Sequence, residues 1–357
     1  MPRLVGIDLG GTSIRAALAT GPTTYAERVV RRRTPAAAGP EAVISACAAA
    51  ARDAAGGTPD GIAIGIPGPV DPESGVVFAA PHLPGFESLP AREMLSAAAG
   101  CPVAIHNDSN LAGYAEWVAG MGRGTRTFVF VIIGTGIGGA VIIDGTLLVG
   151  TASTAAEVGH VPCNTDGPLC GQGHPGCLEG IASGTGIARA AAAALAAGEE
   201  SQLRGITPLD ASAIAAAARA GDPLARRVFA DAARALGRSF GALVNIFGPD
   251  AIAVGGGVGS QVDLLEAPIR AAMAEIAFDA PLRRCRVGQA ELGSDAGLVG
   301  AVAWAGRTFL RDCAGEERRP VTGCASSSPR RRRSRPGRGR RGRGTPRRCA
   351  RRGPGRR

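Results

Sequence analysis

The sequence predicts an α/β protein built from two related halves, and three observations carry that prediction. Val131-Ile132-Ile133-Gly134-Thr135-Gly136-Ile137 opens a stretch, reaching Asp144, in which two Val- and Ile-rich runs flank a turn of glycines and one threonine. The runs are too short for helices and rich in β-branched residues, so they predict strands. Leu4 to Ala19 repeats the design, with Gly10-Gly11-Thr12 at its turn and Asp8 two residues before the glycine pair. Apolar residues make up 45% of the 357 positions and aromatics only 4%, so Ala, Val, Ile and Leu must fill the core, as suits α/β layers. Both glycine turns lead from strand to strand, unlike a dinucleotide fingerprint or a P-loop, where they lead into a helix. Backbone N–H groups in such a turn can approach an anion with no Cβ in the way, and a threonine hydroxyl adds a donor. Two such hairpins point to a duplicated domain that holds a phosphate chain between its halves.

The remaining elements follow in order. Tyr25 to Arg33 predicts a third strand, with Arg31 to Arg33 at its exposed end. Glu41 to Ala55 is an Ala-rich helix stopped by Gly56-Gly57. Gly61 to Ile66 is a buried strand running into Pro67-Gly68-Pro69, and Gly75 to Phe78 is a short one. Leu89 to Ala99 predicts a helix, and Val103 to Ile105 a strand. A helix from about Ser109 to Ala119 follows, with Asp108 or Ser109 as its N-cap. Asp108 therefore sits where a strand ends and a helix begins, and the helix dipole favours its ionised form. Gly120 to Gly124 reads as a hinge into the second half. After the second hairpin and a Cys/His-rich loop over 160–179 come helices at Ser183 to Ala197 and Pro208 to Ala220. Asp222-Pro223 opens a long helix reaching Phe247, with Pro in its first turn. Ala251 to Val254 is a strand ending in Gly255-Gly256-Gly257. A further helix, a strand at Arg286 to Gln289 and a last helix from Asp295 to about Arg311 complete the body. The expected domains are residues 1–119 and 120–294, with the last helix packing back on the first.

Composition excludes several functions. All 40 basic residues are arginine, and without a lysine there is no Walker A site, no protein-kinase strand lysine and no Schiff base. The net charge of +10 is misleading, because residues 318–357 hold 17 arginines and no acid, which leaves −7 for residues 1–317. That body should not bind nucleic acid by bulk charge. The Arg-, Gly-, Pro- and Ser-rich stretch 318–357 cannot bury a core and predicts disorder; it alone could meet nucleic acid. No apolar run is long enough to span a bilayer, and Met1 leads almost at once into a strand, leaving no signal peptide, so the expected location is cytoplasmic. The nine cysteines are an odd number in a chain expected to be cytoplasmic, which speaks against a disulfide framework.

Taken together, the motifs resemble the ROK family of sugar kinases, most closely its bacterial glucokinases. Those that carry the resemblance are Asp8 to Thr12, Gly65-Ile66-Pro67-Gly68-Pro69-Val70-Asp71, Asn107-Asp108-Ser109-Asn110 and Gly134 to Gly139. They continue with Glu157-Val158-Gly159-His160, Gly176-Cys177-Leu178-Glu179, Gly255-Gly256-Gly257 and Asp295 to Gly300. The resemblance covers residues 3 to about 305. It implies a duplicated actin-like ATPase fold (ribonuclease H-like, hexokinase-type) with an interdomain cleft, and ATP-dependent phosphorylation of a hexose, foremost glucose. It implies that Gly10, Gly11, Thr12, Gly134, Thr135 and Gly136 hold the ATP phosphates. Asp8 would orient Mg²⁺ through water, and Gly256 and Gly257 would lie near the adenosine. Asp108 would be the general base, and Gly68, Asn107, Asp108, Glu157, His160 and Glu179 would bind the sugar.

The family's structural zinc site draws a histidine from Glu-x-Gly-His and three cysteines from Cys-x-Cys-Gly-x-x-Gly-Cys. Here the middle cysteine is Gln172, so His160, Cys170 and Cys177 remain, and either Cys163 or His174 is left to complete the four ligands zinc wants. Two further departures are Ser13, where lysine is commoner, and His82, where the glucokinases usually have asparagine. The second bears on which sugar is preferred: fructose, mannose or an N-acetylated amino sugar are alternatives to glucose. Part of the family consists of non-catalytic, sugar-sensing regulators with a DNA-binding helix-turn-helix ahead of the body. This chain starts on its first strand, with no room expected for such a segment, and the intact Asp8, Asp108 and Thr135 argue for turnover. The resemblance also suggests a homodimer or homotetramer.

Overall fold

The structure is a computed structural model that describes residues 2–310 except Ala152. The Arg-rich stretch 318–357, the proposed end of the last helix at Arg311, and Cys313, Cys324 and Cys349 lie outside the described residues. β1 (Leu4–Leu9) and β2 (Ser13–Leu18) form the first hairpin, and β3 (Val30–Arg33) continues it antiparallel. Tyr25 belongs to no strand and makes only an isolated bridge to Ala19, so the third strand is half as long as expected. Helix α1 (Pro40–Ala55), with Pro at its start and left-handed Gly56 at its end, crosses over to β4 (Gly61–Ile66), which is parallel to β1. A small ribbon of β5 (Val70–Asp71) and β6 (Val76–Val77) precedes α2 (Ala91–Ala99). Parallel β7 (Val103–Asn107) and α3 (Asp108–Ala119) follow.

The second half repeats this plan. β8 (Thr127–Ile133) and β9 (Ile137–Ile143) form the second hairpin, extended by the short β10 (Thr146–Leu147). Four helices then intervene: α4 (Leu178–Ala182), α5 (Gly184–Ala196), α6 (Ala211–Arg219) and α7 (Pro223–Phe247). β11 (Ala251–Gly255) runs parallel to β8 and turns at once into α8 (Gly256–Gly259). α9 (Val262–Ala274), α10 (Asp279–Arg284), the parallel β12 (Arg286–Gln289) and α11 (Ala296–Phe309) complete the described chain.

The two five-stranded sheets have orders β3-β2-β1-β4-β7 and β10-β9-β8-β11-β12. Strand for strand they correspond: a hairpin, a third antiparallel strand, then two parallel strands reached by helical crossovers. This is the duplicated α/β fold that the paired hairpins predict, and it agrees with the hexokinase-type fold that the resemblance implies. Outer helices cover one face of each sheet. Val5, Ile7, Ile62 and Ile64 pack with Val43, Cys47 and Leu95, and Val129, Val131 and Ile252 pack with Phe229, Leu236 and Phe240. Between the sheets lie α3 and α11. α3 packs on β9 and β8 and also touches β4; α11 packs on β1, β4 and α3. Gly113 makes the approach to the second sheet possible, because a Cβ there would lie 2.4 Å from the Cβ of Ala140.

Three local expectations need correcting. Asn107, not Asp108 or Ser109, caps α3: its Oδ1 accepts from the Asn110 N–H at 3.0 Å, and Asp108 is the first helical residue. Asn107 keeps extended backbone, which the last residue of a strand already has, so the cap falls one position earlier. Asp210 caps α6, so that helix begins at Ala211 and not at Pro208. α2 begins at Ala91, because Leu89 is engaged in an antiparallel bridge with Val77.

Candidate active site

Each hairpin turn is fastened from outside its own sheet strands. Thr34 donates its hydroxyl to the Gly10 carbonyl at 2.7 Å and its N–H to the Thr12 carbonyl at 3.0 Å. In the second turn, the N–H of Gly184 reaches the Gly134 carbonyl at 2.8 Å, and the Thr185 hydroxyl donates to the Thr135 carbonyl at 2.9 Å. Both tip threonines, Thr12 and Thr135, are left exposed. Fixed turns with free tips are pre-ordered for a ligand.

Asp8 ends the buried face of β1, and hairpin register sets Arg15 directly across from it. Arg15 gives Nε and Nη2 to Asp8 Oδ2 at 3.0 and 2.6 Å, Nη1 to Asp295 Oδ1 at 3.1 Å, and Nη2 to the Ser294 carbonyl at 2.5 Å. Gly297, in the first turn of α11, abuts the Asp8 carboxylate: a Cβ there would lie 2.9 Å from Oδ1.

β7 and α3 deliver Asn107 and Asp108. The Asn107 side chain spans two elements, donating Nδ2 to the Gly68 carbonyl at 2.9 Å while its oxygen caps α3. Asp108 Oδ1 accepts from the Ser109 N–H at 2.7 Å and its hydroxyl at 3.3 Å. Burial pushes the Asp108 carboxyl above its ordinary pKa, the nearby negative charge of Asp8 adds to this, and the Ser109 hydrogen bonds oppose it. Gly65 lets β4 pass close beneath it, and Gly138 of the second hairpin abuts Ser109.

Asp8, Arg15, Asp108 and Ser109 form one wall of a cleft of about 450 Å³. Ile132, Gly255, Gly256, Gly257 and Ser260 come from the second sheet, with Gln289 and residues 293–297 beside them. Gly256 has φ +84° and lies so near Ile133 that a Cβ would be 2.3 Å from its carbonyl oxygen, so only glycine fits. The cleft is lined mainly by apolar surface, with Asp8, Arg15 and Asp108 as its charged groups, and is of a size for a small organic ligand.

Beside this cleft, Glu179 lies against the second turn. Its Oε2 accepts from the Ile137 N–H at 3.1 Å, and its Oε1 from the Gly171 N–H at 2.8 Å. A Cβ on Gly136 would meet that carboxylate at 2.6 Å. Burial raises the Glu157 pKa; His160 opposes this, while Glu179 and Asp108 add to it. These four groups therefore sit within electrostatic reach of one another.

His160, Cys170, His174 and Cys177 bring ligand atoms within 4.8 Å of one another. His160 Nδ1 is buried with no hydrogen-bond partner among the described residues. Burial, with the adjacent Cys170, raises the Cys177 thiol. Of the two residues left open as a fourth ligand, His174 joins this group. Cys163 instead has its sulfur 3.2 Å from the Ser239 hydroxyl. Two histidines and two cysteines are a set that suits tetrahedral zinc.

Of the residues expected from sequence, Asp8, Asp108, Gly256 and Gly257 line the cleft itself. Asn107 joins Gly68, and Glu157, His160 and Glu179 gather with Asp108 on its flank. Gly10, Gly11, Thr12, Gly134, Thr135 and Gly136 form the two turns but do not line the cavity in this conformation. Sequence reasoning missed Arg15, Ser260, Gln289 and Ser294. Arg15 alone had a signal: in a hairpin that turns on Gly10 to Thr12, it is the cross-strand partner of Asp8, an opposite-charge pair on one face.

Comparison with known proteins gives this geometry a context. The ROK family profile matches residues 4–308. A glucokinase of Streptomyces coelicolor is 35% identical over 306 residues, spanning 83% of this chain and 95% of that protein. Among solved structures, a ROK family glucokinase from Streptomyces griseus in complex with glucose and AMPPNP superposes with a TM-score of 0.72 at 32% identity, covering 85% of this chain and 99% of that one. A ROK family transcriptional regulator, a homolog of the E. coli MLC protein, gives a TM-score of 0.76 at 26% identity, covering 85% of this chain and 78% of that one.

Proposed function

This chain belongs to the ROK family, and from that premise we propose that it is a sugar kinase that transfers the γ-phosphoryl group of ATP to glucose, with Asp108 as general base. The observation that carries the reading is the position of Asp108: at the start of α3, partly buried, in the same cleft as Asp8 and the glycines of β11 and α8. A carboxylate with raised proton affinity is better suited to accept the proton of a sugar hydroxyl as that oxygen attacks phosphorus. The O–P bond to the sugar forms, the bond to the ADP oxygen breaks, and the proton rests on Asp108. Such base catalysis contributes about 10²–10⁴-fold. Positioning and charge neutralisation of a metaphosphate-like group supply the remainder.

The sugar hydroxyls would be oriented by Asn107, Glu157, His160, Glu179 and the backbone at Gly68. The phosphates would lie between the turns Gly10 to Thr12 and Gly134 to Gly136, and the adenosine near Gly256 and Gly257. Asp8 is the residue that would hold Mg²⁺, which neutralises phosphate charge when bound. The donor set His160, Cys170, His174 and Cys177 fits zinc, which would brace the loop whose Gly171 N–H holds the Glu179 carboxylate. A second reading, a sugar sensor without turnover, is favoured by the similarity to the regulator.

The deciding experiment measures ATP consumption by the full chain with glucose, mannose, fructose, N-acetylglucosamine and N-acetylmannosamine, and identifies the phosphorylated product by NMR. The expected result is the highest kcat/KM on glucose with glucose 6-phosphate as product. Preference for another sugar overturns the substrate. Sugar binding with no turnover on any of the five replaces the kinase by the sensor.

A further inference from the structure

We propose that Arg15 is the cation that binds the nucleotide's phosphates in this cleft, held in place by Asp8 and Asp295. The inference rests on the kinase reading. Three observations lead to it. First, the residues lining the cleft include the carboxylates of Asp8 and Asp108 and a single cation, Arg15. The chain contains no lysine. A triphosphate is polyanionic, and beside the Mg²⁺ that Asp8 would hold, a fixed protein cation in the cleft adds a direct attraction for it. Ser13, two residues earlier on the same face of β2, has no charge to offer.

Second, the guanidinium is held with far more precision than a surface arginine. Four of its five N–H groups are engaged: Nε and Nη2 with Asp8, the other Nη2 hydrogen with the Ser294 carbonyl, and Nη1 with Asp295. The remaining Nη1 hydrogen has no partner among the described residues. The side chain is 17% exposed, and that exposure is to the cleft. A guanidinium held in this way can give one charge-assisted hydrogen bond, from its spare Nη1 hydrogen, to a phosphate oxygen.

Third, its anchors come from two elements. Asp8 belongs to the hairpin, whereas Ser294 and Asp295 lie just before α11. A purely structural tie between these segments would not need to line the cavity opposite Gly255 to Gly257. Here the tie aims the cation at the space shared by Asp108 and the glycine turn. Asp8 and Asp295 act as positioning residues, and Arg15 is the group that touches substrate.

The test is calorimetry of ADP, adenosine and glucose binding to the full chain, wild type against Arg15→Gln. The quantity read is the ratio of ADP affinity to adenosine affinity. Loss of a charge-assisted phosphate contact should lower that ratio about 10- to 100-fold and leave adenosine and glucose affinities unchanged. An unchanged ratio, or equal weakening of all three ligands, overturns the proposal and leaves Arg15 a structural tie. If Arg15→Gln does not fold, Arg15→Lys decides: it keeps the charge but not the fork, so the ratio should fall at least about threefold, and no fall overturns the claim. The kinase reading fails separately, if the wild-type chain turns over none of the sugars; the ADP-to-adenosine ratio then still reports on Arg15.

Discussion

At the scale of single residues, Asp108 shows function set against stability. Burial raises its pKa, so the folded state holds the proton more tightly than the unfolded chain does. Between the unfolded and folded pKa values the native state binds more protons, and stability falls as pH rises through that window. At neutral pH the buried negative charge is therefore a cost, and Asp108→Asn removes it. That variant should lose about 10²–10⁴-fold in kcat, keep sugar and ADP affinity, and unfold at an equal or higher temperature than wild type at pH 7. The stability difference should shrink as pH falls through that window and vanish below the unfolded pKa. In the wild type, kcat should fall on the acid side at a higher pH than an ordinary aspartate would give. A thermal scan at several pH values and a pH–rate profile check both; near-normal turnover in Asp108→Asn would remove it as the base. Much of this site was legible residue by residue, because Asp8, Asn107 and Asp108 stand at strand ends where glycine turns or a helix start follow. What was not legible is which side chains meet across the chain. Ser294 contributes only its carbonyl, and no residue type announces that.

At the scale of elements, Glu116 deserves the closest reading. It lies on α3, is fully buried, and accepts three backbone hydrogen bonds: from Met121 at 3.2 Å, Glu291 at 3.1 Å and Leu292 at 2.7 Å. Met121 lies in the segment that leads from α3 to the second sheet, and Glu291 and Leu292 in the segment that returns to α11. One carboxylate thus clasps both connections between the sheets. Removing it strands buried N–H groups, each costing about 1–3 kcal/mol. Glu116→Ala should therefore destabilise by roughly 3 kcal/mol or more, and Glu116→Gln by less, since one oxygen survives; urea unfolding of the two variants gives the comparison. The Cys/His loop makes a second element-scale prediction. Chelation of the proposed zinc, or His174→Ala, should lower bound metal measured by elemental analysis. It should also weaken glucose binding, because Gly171 of this loop holds the Glu179 carboxylate. Unchanged metal content in His174→Ala would exclude that residue as a ligand. The long strands and helices were legible from apolar periodicity and caps. β10, α4, α8 and α10 were not: they are two to six residues long, too short to show a period, and tertiary packing fixes them.

At the scale of the molecule, the two sheets share one topology and are separated by α3 and α11, which touch both the sheets and each other. The duplication was legible because each hairpin repeats the same glycine turn; the interposed helix pair was not, because it depends on close approaches at Gly113 and Gly300 that only the assembled fold reveals. We propose that one sheet rocks against the other about the connection at Gly120 to Gly124 and the returning segment at 290–295. The four glycines and two threonines of the two turns stand outside the cavity in the present conformation. In that proposal the halves close so that the turns grip the phosphates. Closure would also exclude water that would otherwise take the phosphoryl group. Small-angle scattering should therefore show a smaller radius of gyration when glucose is added, and a further fall with a non-hydrolysable ATP analogue. The clasp at Glu116 should set the ease of that motion, so Glu116→Gln should change the extent of closure while leaving the folded fraction intact. A scattering profile that glucose leaves unchanged would mean that the turns act where they now stand, and that phosphate binding must be sought at Arg15 and the α8 backbone without help from domain movement.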